Sequence, residues 1–403
     1  MKPICVLLCC LLSGSLLCAQ SLRVAFVGDP QVDDEIELGY ARASIYRELR
    51  ERTDLDLVIL LGDLVNDDVK LLAPTKASLD SLPCPWFSVP GNHDRDLYGR
   101  KKGRVMSLDG TVDEGRPRDM ASYTKIIGTP DTTFIRSGIR FILMDDVRRQ
   151  GAMHYEGGWR EDQKRWLQAV LEDTPPDMPA VLAAHIPFQE FAARDSLQAI
   201  LSVHPKLLQM CGHTHTTGRF TREVAGRPVE EVLAGAACGT FWRGPRNAAG
   251  IPDALMNCGA PRGYYVADLS KDGYRLSYKA VQRPDVASAW TDGTGRMVLN
   301  VYGGSTEGRV EVRFKGSRGW VAVPRREEVA PEVRLGVARN KALKTDGPRT
   351  RHPDYIPLLT QKSPHVWAAT LQKVPAPGER LRIRYRDPHL SFRRTVTVQA
   401  LPD

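Results

Sequence analysis

The run Leu207-Leu208-Gln209-Met210-Cys211-Gly212-His213-Thr214-His215 joins a mostly apolar segment to a glycine and two histidines. An apolar segment closed by a turn signal reads as a strand covered on both faces. Four more segments follow the same plan. Leu22 to Val27 leads into Gly28-Asp29-Pro30-Gln31, Leu57 to Leu61 into Gly62-Asp63, Trp86 to Val89 into Gly91-Asn92-His93-Asp94, and Ala180 to Ala183 into Ala184-His185. If these strands lie side by side in one sheet, their polar ends share one edge, where ligands bind in α/β folds. That edge gathers Asp, Gln, Asn and His, all of them metal-ligand types. The pattern predicts a metal-dependent hydrolase.

Two divalent ions about 3.5–4 Å apart can clamp a phosphoryl group and lower the pKa of a water between them. Holding both ions takes carboxylate, imidazole and amide oxygens, with one carboxylate shared. Asp63 suits that bridge, because the glycine before it allows a tight backbone turn. Asp29 and Gln31 are two apart and share a face in an extended segment, as do His213 and His215.

In order and spacing, the five fragments resemble the motif series of the calcineurin-like metallophosphoesterase superfamily: Asp-x-His, Gly-Asp, Gly-Asn-His-Asp or Glu, a lone His, and Gly-His-x-His. The resemblance implies an α/β (α+β) fold, a four-layered α/β/β/α sandwich, and a phosphoric ester hydrolase acting on mono- or diesters. It implies that Asp29, Gln31, Asp63 and His215 hold one ion and Asp63, Asn92, His185 and His213 the other. His93 becomes the general acid, with Asp94 orienting its imidazole. The nucleophile is a hydroxide between the ions, without a covalent intermediate. Gln31 stands where histidine is usual, although some members of the superfamily also read Asp-Pro-Gln. Its neutral, hard carbonyl oxygen favours Mn, Fe or Mg over Zn. Asn66 stands three residues past Asp63, where an aspartate is usual, and Asp67 follows it.

Residues 1–19 read as a secretory signal peptide: Lys2, an apolar stretch from Ile4 to Leu12, and Ala19 before Gln20. The stretch is too short to span a bilayer, and no other stretch is long and apolar enough. A periplasmic or extracellular protein is expected, with lipid modification at Cys18 as an alternative that Leu17 fits poorly. The remaining cysteines, Cys84, Cys211, Cys238 and Cys258, lack the Cys-x-x-Cys spacing of a structural zinc site. Cys84 and Cys211 read as small buried hydrophobes, and Cys238 and Cys258 as a pair that an oxidising compartment would allow.

A chain of 403 residues exceeds the usual single-core size. The expected division is the signal peptide, a phosphoesterase domain at 20–282, and a C-terminal β-rich domain at 283–403. The first domain alternates strand and helix patterns, with helices over Glu35–Glu51 and Arg160–Leu171. The second carries short strands over Arg296–Tyr302, Arg309–Phe314, Val366–Leu371, Glu379–Tyr385 and Arg393–Gln399, which suggest a small β-sandwich-like domain. Residues 283–403 hold 22 Lys and Arg against 12 Asp and Glu, whereas 20–282 hold 33 against 36. A basic surface of this kind suits an anionic glycan or envelope surface. No dedicated nucleic-acid module is present.

Two loops stand out. Arg95 to Met120 holds Arg95, Arg100, Lys101, Lys102 and Arg104, cations able to reach a phosphate. Gly239 to Tyr264 is rich in Gly, Pro and aromatics, and within it Trp242 and Arg243 are expected to face the substrate. This loop and the C-terminal part with His365-Val366-Trp367 look similar to secreted bacterial calcineurin-like phosphoesterases with an extra C-terminal domain. Two other readings compete. One is a non-catalytic envelope- or glycan-binding protein with a weakened first metal site, for which Gln31 is the support. The other is a nuclease.

Overall fold

The strand Leu22–Val27 is buried along nearly its whole length, which places it inside a sheet. The computed structural model describes residues 21–96, 117–149, 154–191, 199–224, 226–343 and 352–402. The expected leader at 1–19 and the cations Arg100, Lys101, Lys102 and Arg104 lie outside the described residues. Leu22–Val27 is the middle strand of a five-stranded sheet ordered Gly273–Ala280, Gly263–Ser270, Leu22–Val27, Leu57–Leu60 and Trp86–Ser88. A second sheet runs Thr217–Val224, Arg227–Ala234, Leu207–Cys211, Ala180–Ala183, Ile139–Leu143 and Thr132–Arg136.

Alternation along the second sheet identifies what covers each face. Phe141, Leu143, Val181, Ala183, Leu208 and Met210 join the core shared with the first sheet. Ile142, Leu182 and Leu207 join a separate core with Leu167 and Leu171 of the helix Glu161–Asp173. The first sheet also packs with Leu38 and Ala41 of the helix Glu35–Ala43 and with Ile45, Tyr46 and Leu49 of the helix Ile45–Glu51. The layers are helix, sheet, sheet, helix. Where one helix was expected over Glu35–Glu51, Ser44 breaks it: its hydroxyl donates to the Tyr40 carbonyl at 2.6 Å and accepts from Arg262 at 2.8 Å. A serine bonded back to its own helix competes with helical continuation.

The motif strands are parallel to one another within each sheet, so within each sheet their carboxyl ends open in one direction. They divide three and two between the sheets, and do not line up in one sheet as the sequence suggested. The antiparallel pair Thr132–Arg136 and Ile139–Leu143 intervenes in the chain and starts the second sheet.

Beyond Ala280, eight strands form one sheet: Val321–Val323, Arg309–Arg313, Arg380–Arg386, Ser391–Ala400, Ala287–Thr291, Arg296–Val301, Val366–Thr370 and Arg325–Arg326. Its two edge strands are consecutive in the chain, with Pro324 alone between them. The edges must therefore meet, and the sheet curls into a near-barrel around Val301, Val312, Trp367, Leu381 and Ile383. The helix Pro331–Ala342 covers part of the outside through Val333. Arg219, fully buried, ties this part to the sandwich: it donates to Glu230 at 2.9 Å and to Asp387 at 2.7 Å.

Candidate metal centre

Three of the five motifs leave their strands through residues with positive φ. Asp29 (46°), Gln31 (37°), Asp63 (51°), His213 (70°) and His215 (48°) all sit in the left-handed region that side chains disfavour. Each such residue costs about 1–3 kcal/mol, and that strain concentrates where function fixes the backbone. Asp29 and Gln31 therefore do not share a face of an extended segment, as their spacing suggested; the chain turns at each. Neighbouring motifs hold the turns in place. Asp29 N donates to Gly62 O at 3.3 Å and Gln31 N to Asp63 O at 2.7 Å. Gly91 lies so close that a Cβ there would meet Asp63 Oδ1 at 2.0 Å.

Within this frame Asp63, His185 and His213 bring ligand atoms within 4.8 Å of one another. His185 Nε2 lies 3.0 Å from Asn92 Oδ1, 3.1 Å from His213 Nδ1 and 3.4 Å from Asp63 Oδ2. Its Nδ1 lies 2.8 Å from the Leu61 carbonyl, so Nδ1 carries a proton and Nε2 is the atom turned to the cluster. His215 is held the same way, with Nδ1 at 2.6 Å from Gly239 O and Nε2 at 3.8 Å from Asp29 Oδ1. Gln31 places its amide nitrogen 3.4 Å from Asp63 Oδ2. Asp63 thus meets both His185 and Gln31, while Asp29 meets His215 and accepts from the His213 backbone N–H.

Electrostatics explains why such a cluster calls for cations. Burial drives Asp29 well above the ordinary carboxyl range. Burial also pushes Asp63 upward, but the His185 and His93 charges outweigh it and hold Asp63 below its usual value. His185 is buried, which lowers it, yet Asp63 raises it to about 10. Burial and the His185 charge push His213 down to about 3, and burial pushes His215 down to about 4. Two buried aspartates of opposite tendency thus stand among three imidazoles and an amide oxygen. That donor set fits divalent ions, and imidazoles whose Nδ1 is tied to a backbone carbonyl are oriented as metal ligands are.

His93 stands at the open side, 30 % exposed, with its Nδ1 2.7 Å from Asp67 Oδ1. Asp94 does not orient it as expected. The Asp94 carboxylate accepts from Val65 N at 3.0 Å and Gly91 N at 2.8 Å, which fixes the motif loop. Burial, followed by the nearby Asp63 charge, raises Asp94 to about 7. Four residues separate Asp67 from Asp63 through a turn, and only the folded loop shows that it reaches His93.

The expected substrate-facing pair is placed differently. Trp242 is 2 % exposed and donates through Nε1 to Pro30 O at 2.8 Å, so it braces the loop carrying Asp29 and Gln31. Arg243 donates to His352 O at 3.3 Å. Their neighbour Phe241, 39 % exposed, packs on His215 with ring centroids 4.8 Å apart. Tyr155, 41 % exposed, meets His213 edge-on at 5.9 Å. No motif marks either residue, because an aromatic acquires such a place only through tertiary packing. Arg95 is buried against Asp119 and Asp145 and is not turned to a phosphate. Cys238 and Cys258, which an oxidising compartment would have allowed to pair, are free thiols with separate partners.

Residues 22–217 match the family model described as Calcineurin-like phosphoesterase. Residues 231–390 match the one described as C terminal of Calcineurin-like phosphoesterase. The second match begins inside the strand Arg227–Ala234 of the sandwich and runs through most of the near-barrel. No curated protein matches the chain.

Proposed function

We infer that this chain, which carries a calcineurin-like phosphoesterase domain and that family's C-terminal domain, is a two-metal phosphohydrolase of phosphate mono- or diesters. The carrying observation is the convergence on His185 Nε2. Asn92 Oδ1, His213 Nδ1 and Asp63 Oδ2 lie around it at 3.0–3.4 Å, four ligand-type atoms gathered at one point. A divalent pair supplies Lewis acidity and an activated water.

The chain's own residues do the rest. Asp63 reaches both His185 and Gln31. The Leu61 and Gly239 carbonyls keep His185 and His215 in the tautomer that offers Nε2. Asp67 holds Nδ1 of His93, which leaves Nε2 free to deliver a proton to the leaving oxygen. His93 is raised above the ordinary imidazole value: burial works against this, but Asp63 and then Asp67 outweigh it. That direction favours the protonated form a general acid needs. Mn, Fe or Mg suits the Gln31 carbonyl better than Zn. Export to the periplasm or beyond is proposed from the character of residues 1–19. Among the described residues, no helix is long and apolar enough to cross a membrane.

Metal content and turnover test this reading together. The protein should bind two ions per chain and hydrolyse bis-p-nitrophenyl phosphate or p-nitrophenyl phosphate when loaded with Mn. Asp63→Asn should lose at least one ion and about 10³-fold or more in kcat, the size of effect seen when charge stabilisation is removed from a reacting centre. One ion or none in the wild type, without turnover, would leave the binding-protein reading.

A further inference from the structure

His213, alone of the candidate ligands, lines a groove of about 620 Å³ together with Glu190 and Phe220 on the sandwich side, and a second wall of the groove belongs to the near-barrel. That wall is the strand Arg325–Arg326 with Glu327, and the segment 361–364. It is tied directly to the loop bearing the histidines. Gln361 Nε2 donates to Thr216 Oγ1 at 2.7 Å. Asn257 donates through its backbone to His215 O at 3.0 Å and accepts from Leu359 N at 2.9 Å. Groove and ligand cluster thus share a rigid frame. A space of this size takes a whole drug-sized molecule, far more than one phosphoryl group.

The charges on the wall are unequally matched. Arg325 and Lys362 share a single carboxylate, Glu327, each at 3.7 Å, beyond hydrogen-bonding distance. Glu327 and Lys362 are both mostly exposed. The groove's other carboxylate, Glu190, lies on the side of His213, 3.8 Å from its Nε2, so on the near-barrel side two cations meet one loosely held carboxylate, and a guanidinium with a nearby ammonium is a good receptor for phosphate or carboxylate.

We propose that the C-terminal domain completes the substrate site, with Arg325 and Lys362 taking a second anionic group on the part of the substrate away from the scissile phosphate. The proposal rests on the phosphohydrolase reading and narrows it to substrates with two separated negative groups, such as sugar or nucleoside bisphosphates. Arg325 and Lys362 are then specificity residues and take no part in bond breaking.

The test is calorimetric titration of the full, Mn-loaded chain with two matched pairs. These are glucose 6-phosphate against glucose 1,6-bisphosphate, and adenosine 5′-phosphate against adenosine 3′,5′-bisphosphate. At least one bisphosphate should bind about tenfold tighter than its partner, as expected for charge-assisted hydrogen bonds. Arg325→Gln and Lys362→Gln should each cut that preference several-fold. No preference in either pair overturns the proposal. So does a preference that survives both substitutions, or equal weakening of both members of a pair. Titration needs no turnover, so the two readings fail separately. A protein that prefers a bisphosphate but hydrolyses no ester keeps the subsite and loses the hydrolase; one that hydrolyses esters without that preference does the reverse.

Discussion

Two aspartates divide the work around His93. Asp67 meets the imidazole at 2.7 Å, while Asp94 accepts two backbone N–H groups of the motif loops. Their substitutions should therefore part company. His93→Ala should cost more on a diester with a poor, alkoxide leaving group than on p-nitrophenyl phosphate, because a poor leaving group depends on the proton. Asp67→Asn should follow the same pattern to a smaller degree. Asp94→Asn should instead lower stability by about 1–3 kcal/mol, since it spoils two buried acceptor contacts. Equal losses on all esters for His93→Ala would remove the general-acid role, and the ester series measures this directly.

At the scale of the element, strand ends and the turns after them make the site. Gly62 has a φ of 90°, and Gly91 approaches Asp63 closely enough that any side chain collides with its carboxylate and its backbone nitrogen. Gly91→Ala should cost about 1–3 kcal/mol through overpacking, and it should displace the shared carboxylate. The expected outcome is a protein that still folds, by circular dichroism, but binds fewer than two ions by elemental analysis. Retention of both ions would show that the loop yields more easily than this packing implies.

For the whole molecule, the junction of the two parts is polar and buried, and it carries a pH dependence. His365, fully buried beside Asn300, is pushed by burial down to about 4. Its folded pKa is thus depressed below the ordinary value of about 6.5. The unfolded chain takes up a proton that the folded chain refuses, so stability is intact above pH 6.5 and falls as pH drops toward 4. This single group accounts for up to about 3 kcal/mol of that loss. Urea denaturation at pH 7.5 and 4.5 should show a larger fall for the wild type than for His365→Gln; equal falls would absolve His365.

The sequence by itself determined the fold class and singled out the candidate ligands, of which Asp63, His185 and His213 meet in the fold. A run of buried strand followed by Gly and a metal-ligand residue is a local pattern, and five such runs in order leave few alternatives. The eight-stranded part was legible as strands because two-residue alternation is also local. Tertiary structure alone decided how the strands divide between two sheets, that Pro324 closes the near-barrel, and that Asp67 and not Asp94 serves His93. It alone turned Trp242 inward, left Phe241 and Tyr155 beside the histidines, and set Arg325 and Lys362 across the groove from His213. The physical reason is common to all of these. Which residue reaches a given point depends on positive-φ turns and on contacts between segments far apart in the chain, and neither leaves a mark in the local pattern.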